Sequence, residues 1–147
     1  MPATINASYG GTSTTATLIV TPVPPPTVAI ARFGVTGPTE TDTCTLADNG
    51  NTLNCTFNGS TSVAPGTITA WDWSFGVANT ITKTTSGPIL TMPAMSCALM
   101  PPPPLPLDGP QWFTLVVTLT IHDSLGNVSA KTVDDGIRLI PHGSCGF

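Results

Sequence analysis

Four cysteines, two histidines and a few acidic residues are the side chains in this sequence that could bind metal, carry redox chemistry or move protons. Cys44 and Cys55 flank the stretch CTLADNGNTLNC, which reads nearly alike from either end. Ten residues lie between them, whereas zinc sites want C-x₂₋₄-C spacing and a second such pair. Neither His122 nor His142 has a partner at ligand spacing, and no C-x-x-C redox motif is present. With Asn49-Gly50 at a two-residue type I′ turn, Asp48 faces Asn51, Leu46 faces Leu53 and Cys44 faces Cys55. That register closes a disulfide by itself, at a hydrogen-bonded pair where Cα atoms lie about 5.5 Å apart. The even count leaves Cys97 for Cys145, which would tie the C-terminal tail to a proline-rich loop. Chain entropy values the two links at about 3 and about 4 kcal/mol. Losing the first is expected to fray a local hairpin, and losing the second to loosen tail and loop. Disulfides imply an oxidising compartment.

The other chemical candidates have structural readings. His122 beside Asp123 invites acid–base chemistry. The carboxylate can instead accept backbone N–H bonds within the turn DSLGN, leaving His122 to face solvent. Asp134-Asp135 before Gly136 are weak calcium candidates, because calcium takes several oxygen ligands; a solvated turn is the simpler reading, and no metal or cofactor is expected. Trp71 and Trp73 differ by two, so they share a strand face; Trp112 is expected against the proline-rich loop. Exposed, coplanar aromatics would instead point to a sugar platform. Asn6, Asn54, Asn58 and Asn127 fit N-x-[ST] as chance products of a Thr/Ser/Asn-rich chain. No G-x-S-x-G, H-E-x-x-H or phosphate loop is present.

The elements that must position these residues read as strands throughout. Residues 3–20 form a hairpin signal around Gly10-Gly11, with Ile5 facing Ala16 and Ala3 facing Leu18. Its apolar face carries Ala3, Ile5, Ala7, Ala16, Leu18 and Val20. A stiff, extended proline linker follows over 23–27, which sets a boundary between a hairpin unit, 1–22, and the remainder, 28–147. Strand-like runs then continue to the end: TVAIARFGV, the cysteine hairpin, CTFNGS, TITAWDWSF, NTITKTT, PILTM, WFTLVVTLTIH, NVSAKTV and GIRLI. Leu115, Val117, Leu119 and Ile121 alternate onto one face, as a core strand requires. Residues 96–110 are proline-rich and predict an extended loop. Short strands with frequent turn signals predict an all-β, antiparallel sandwich.

Composition excludes several functions. The net charge is −4, with only Arg32, Lys83, Lys131 and Arg138 as bases. Nucleic-acid binding needs clustered Lys and Arg. No apolar run approaches the roughly 20 residues that cross a bilayer as a helix. Charged residues are 8% of the chain, and 26 threonines fill the surface instead. Such a surface has few charges to repel neighbouring copies. No signal peptide is visible, since Met1 is followed by Pro2 and polar alternation. Either a leader has been processed away, or Met1 is an added start, or the start is native to an intracellular chain such as a phage virion protein.

FNGSTSVAPGTITAWDWSFG, Phe57 to Gly76, together with VTLTIHDSLGN, Val117 to Asn127, resembles the polycystic-kidney-disease (PKD) repeat. The resemblance spans residues 57–133 and rests on Phe57, Ser60, Ser62, Gly66, Ile68, Trp71, Trp73, Phe75 and Gly76, with the DSxGN turn following in order. Asn58, Val63, Pro65, Ser74 and Val77 stand where the family places acidic residues, so a family cation site is not expected. The hairpin at 3–20 is similar to the last two strands of a bacterial immunoglobulin-like repeat. The resemblance implies an immunoglobulin-like, PKD-type sandwich with an extra N-terminal hairpin, Trp73 at its core, and work as a spacer, adhesive module or assembly unit outside the cell or at its surface.

The functional expectation is therefore a non-catalytic structural or adhesive protein. Its partners would be other copies of itself or neighbouring immunoglobulin-like repeats, and surface polysaccharide is a further candidate. Ile5, Ala7, Ala16, Leu18 and Val20 would be the assembly residues if the hairpin is donated to a neighbour to build a filament. The alternatives are a carbohydrate-binding accessory module of a secreted hydrolase and a phage virion immunoglobulin-like protein.

Overall fold

A computed structural model describes residues 2–19, 21–48, 50–77, 81–91, 93–100 and 112–141, with the side chains of 2–8, Leu18 and Leu99 excepted. Eleven strands and one short 3-10 turn make up its regular structure. Among the described residues, β1 (Pro2–Tyr9) and β2 (Thr12–Ile19) pair only with each other. Their register places Ala3 opposite Leu18 and Ile5 opposite Ala16, as the Gly10-Gly11 turn predicts. Both glycines hold positive φ, 59° and 80°, which a type I′ turn demands and a side chain would strain.

The remaining strands are β3 (Gly34–Thr36), β4 (Thr43–Leu46), β5 (Leu53–Asn54), β6 (Thr56–Asn58), β7 (Ile68–Gly76), β8 (Ile81–Thr85), β9 (Ile89–Thr91), β10 (Phe113–Asp123) and β11 (Thr132–Ile140). They form a six-stranded sheet in the order β5-β4-β11-β10-β7-β8 and a three-stranded sheet in the order β3-β6-β9. The two pack as a sandwich. Between residues 34 and 58 the chain crosses from one sheet to the other twice. The first crossing runs from β3 to β4 through Asp42, which has φ 54° and donates its amide to the carbonyl of Val35. The second takes only Cys55, between β5 and β6. β4 then lies parallel to β11, with Leu139 beside Cys44, whereas the other pairings within these two sheets are antiparallel.

Alternation builds the core. Leu115, Val117, Leu119 and Ile121 of β10 are fully buried, and each such side chain contributes roughly 1.5–3 kcal/mol. β7 adds Trp71, Trp73 and Phe75 on the same inner face. Trp73 sits between Phe33 and Phe57, with ring centroids 5.7 and 5.8 Å away, and Phe57 meets Phe75 edge-on at 5.5 Å. These offset contacts let large rings interlock rather than stack face to face.

Two strand expectations are corrected. TVAIARFGV predicts one long strand, but only Gly34–Thr36 joins a sheet. Upstream, Ile30 exchanges both backbone bonds with Val63, and the Ser62 hydroxyl bonds the amide and the carbonyl of Arg32. A loop has taken the donors that a ladder would have used. Conversely, the end of NVSAKTV and all of GIRLI merge into the single strand β11. The pairing jumps from Leu115–Ile137 to Val117–Asp134, so Asp135 and Gly136 bulge opposite Val116.

Candidate functional site

The cysteine hairpin is closed as its symmetry predicts. Cys44 and Cys55 form a disulfide with Cα atoms 5.2 Å apart, and Leu46 pairs with Leu53. The turn differs from the expected one. The Gly50 amide donates to the Ala47 carbonyl, so the turn opens at Ala47, one residue early, and the Ala47 amide reaches Thr52; Asn49 lies outside the described residues. This moves the hydrogen-bonded pairs by one position. Ala47–Thr52 is bonded, while the Leu53 amide turns away to the Pro93 carbonyl. By alternation Cys44–Cys55 then falls at a non-hydrogen-bonded pair, where side chains approach more closely. The sequence expectation is that losing this link mainly frays a local hairpin; Cys44 and Cys55, with Leu46 and Leu53, also lie in the common core. Cys97 is disulfide-bonded as well, and its expected partner Cys145 lies outside the described residues, as does His142.

Asp123, at the end of β10, organises a corner. Its Oδ1 accepts the amides of Leu125 and Asn127, and its Oδ2 accepts the Gly66 amide and the Asn127 side-chain amide, all within 2.8–3.0 Å. Burial works to raise its pKa, but the Asn127 side chain and the three backbone donors outweigh it and hold the carboxyl below the usual range. Glycine at 66 suits this approach, because a Cβ there would meet Ser124 Oγ and Leu125 Cγ at 2.9 Å and force them to shift. The turn-forming role read from DSLGN is therefore present, and it reaches across to the loop at residue 66.

His122 does not simply face solvent, as expected. It lies on the outer face of the large sheet, half-exposed, with Nε2 2.7 Å from Oδ2 of Asp72. The Thr84 hydroxyl donates to Asp72 Oδ1 at 2.6 Å. That bond, opposed by slight burial and helped by His122, holds Asp72 below the usual carboxylate range. The cluster contains the side-chain types of a nucleophilic triad in the wrong order: the carboxylate stands in the middle. The Thr84 hydroxyl is spent on Asp72, so His122 is not placed to take its proton. Sequence reading missed Asp72 and Thr84. The signal was available: Asp72 lies between two inward tryptophans and must point outward. Which residues neighbour it across the sheet depends on long-range register.

Asp134 and Asp135 do not sit in a turn but in β11, Asp134 paired with Val117 and Asp135 in the bulge, where Asp134 Oδ1 accepts the Gly136 amide. Among the described residues, no three ligating side chains converge on a point. Trp71 and Trp73 are core residues, so this pair offers no surface platform for a sugar ring; no described residue accepts the buried Trp71 Nε1. Trp112 is 56% exposed, and the proline-rich segment expected to cover it lies largely outside the described residues.

The expected assembly residues lie on the N-terminal hairpin. The structure places Ile5, Ala7, Ala16 and Leu18 on β1 and β2; Val20 lies outside the described residues. None of the hairpin side chains that are described, those of 9–17 and Ile19, belongs to the core of the sandwich. Every described side chain on it is exposed, Tyr9 at 95% and Ile19 at 75%. Residues 21–26 follow without regular structure and fully exposed, which fits a stiff proline spacer. No family model matches the sequence, and no curated protein or solved structure matches it at a significant level.

Proposed function

We propose that the chain is a non-catalytic structural or adhesive protein of the immunoglobulin-like, PKD type, working outside the cell and associating with other copies, or with neighbouring repeats, through its N-terminal hairpin. The observation that carries this reading is the hairpin itself: two eight-residue strands, paired only to each other and exposed on the described side chains. Two strands alone are marginal in water. A pair whose described side chains are all exposed fits a partner that completes it, and strand addition is the physical mode available to free edges.

Strand order supports the sandwich type. β4-β11-β10-β7-β8 facing β3-β6-β9 corresponds to the immunoglobulin arrangement in which the first strand divides between both sheets. A buried tryptophan on β7, Trp73, also supports that type, since antibody-like domains bury one on their third strand. The polar clusters are consistent with a structural role, since the Asp123 and Asp72 carboxylates are engaged in cross-strand and turn bonds. The disulfide suits an oxidising compartment, as outside the cell.

The test is association. The full chain is expected to form larger species as concentration rises, and fibres in negative stain. Removing residues 1–22, or introducing Ile5→Asp with Leu18→Asp in the full chain, is expected to leave a folded monomer. A full chain that stays monomeric at all concentrations, with a truncated chain that unfolds, would assign the hairpin to its own core instead.

A further inference from the structure

The assembly reading leaves open which surface receives the hairpin, and the sheet edges narrow this down. A six-stranded and a three-stranded sheet present four outer edges, at β5, β8, β3 and β9. Two are occupied. Along β5, Leu53 donates to Pro93, while Met95 donates to Asn51 and Cys97 to Gly50, so the run 93–97 already covers that edge. Along β3, Asp42 donates to Val35, and Thr36 bridges to Thr41. β8 and β9 are each bonded on one side only among the described residues. Only Ser86, Gly87 and Pro88 join them, so both free edges lie on the same flank.

Between these edges the sandwich is open. A groove of 350 Å³ runs there, lined by Phe75, Ile81, Leu90 and Pro93 among others, with Lys83 at its rim. Lys83 pairs with Trp73 and so belongs to the inward row of β8, yet it is exposed because no strand of the small sheet reaches over it. Among the described residues, the flank thus has unpaired backbone groups beside apolar side chains.

We propose that this flank receives β2 of a second copy, added as a new strand along β8; the proposal rests on the assembly reading above. β2 is the better donor of the two hairpin strands. It is rich in β-branched residues (Thr12, Thr14, Thr15, Thr17 and Ile19) and lacks proline, whereas β1 begins with Pro2. Alternation puts Thr12, Thr14, Ala16 and Leu18 in one row of β2, toward the groove, and Ser13, Thr15, Thr17 and Ile19 in the other, continuous with the Thr82 and Thr84 face of β8. Charge permits the match. Residues 2–31 carry no charged side chain, so Lys83, the sole charge between 81 and 91, meets no like charge. A lysine on an edge commonly discourages promiscuous pairing; here it narrows the choice to an uncharged strand.

The test uses the full chain with a benzophenone-bearing phenylalanine in place of Ala16, an exposed position. Isotope-labelled and unlabelled chains are mixed in equal amounts, irradiated at a concentration where association is observed, and digested for mass spectrometry. The expected result is that about half the adducts join chains of different mass and map to residues 81–91. Adducts between copies that map elsewhere would overturn this acceptor while leaving assembly intact. Adducts confined within single chains, or none in a chain that sediments as a monomer, would overturn the assembly reading with it.

Discussion

Two β-hairpins of the molecule, the N-terminal one and the one between the cysteines, have opposite fates. The cysteine hairpin has short strands, β4 and β5, but its side chains are buried, its ends are covalently joined and a passing segment bonds to its outer edge. The N-terminal hairpin has strands of eight residues in full register, yet its described side chains are exposed and no described residue cross-links it. Regular pairing and stability are therefore separate properties. Backbone bonds made in water exchange against bonds to solvent and yield little net free energy, whereas burial of Leu46 and Leu53 removes apolar area from water outright. A long, well-registered hairpin can be the weakest part of a chain, and a two-residue strand can belong to its centre.

Matched substitutions sharpen this contrast. Leu53→Ala empties a fully buried position and is expected to cost about 2–5 kcal/mol in denaturant unfolding. Replacing Cys44 and Cys55 together by Ala should cost about 3 kcal/mol, and the loss should appear in tryptophan fluorescence of the whole sandwich rather than as local fraying. Asp123→Ala is expected to lower Tm by on the order of 5–10 °C, because several donors lose their acceptor at once. Its folded pKa lies below the ordinary 3.8, so the stabilisation is present above that pH and lost as pH falls through the lower folded value. Asp123→Asn should accordingly flatten the acid limb of the stability curve. Asp72→Asn acts through a half-exposed cluster and is expected to cost less than about 1 kcal/mol. Ile19→Ala, the counterpart of Leu53→Ala on the other hairpin, should change monomer stability by no more than about 0.5 kcal/mol. A large effect at Ile19 in dilute solution would break the contrast.

What could be read from the sequence was whatever is decided locally. Gly10-Gly11 fixes the pairing of Ile5 with Ala16 through the φ values that only such a turn accepts. Leu115 to Ile121 show their inward face by period alone, and the DSLGN turn announces Asp123 as its acceptor. The failures share one cause, which is competition between distant segments. Ile30 reads as strand, but Val63 claims its backbone bonds from across the chain. Asp134 and Asp135 read as a turn, but pairing with β10 absorbs them as a bulge. The His122–Asp72–Thr84 row exists only once β10, β7 and β8 lie side by side, and no local pattern states their order.

The parallel contact of β4 with β11 has a mechanical consequence. β4 follows the first crossing between the sheets, and β11, the last described strand, runs parallel beside it over three residue pairs. Tension applied between the two ends of the domain would draw these strands past one another in opposite directions, loading their hydrogen bonds together rather than one after another. Once that contact parted, the Cys44–Cys55 bond would still hold the intervening chain folded over itself. With a separation of 11 residues, roughly 35–40 Å of extended chain would be withheld from the lengthening of the domain. A unit joined to its neighbours through a stiff spacer would then resist pulling first as a bolted joint and afterwards as a shortened tether.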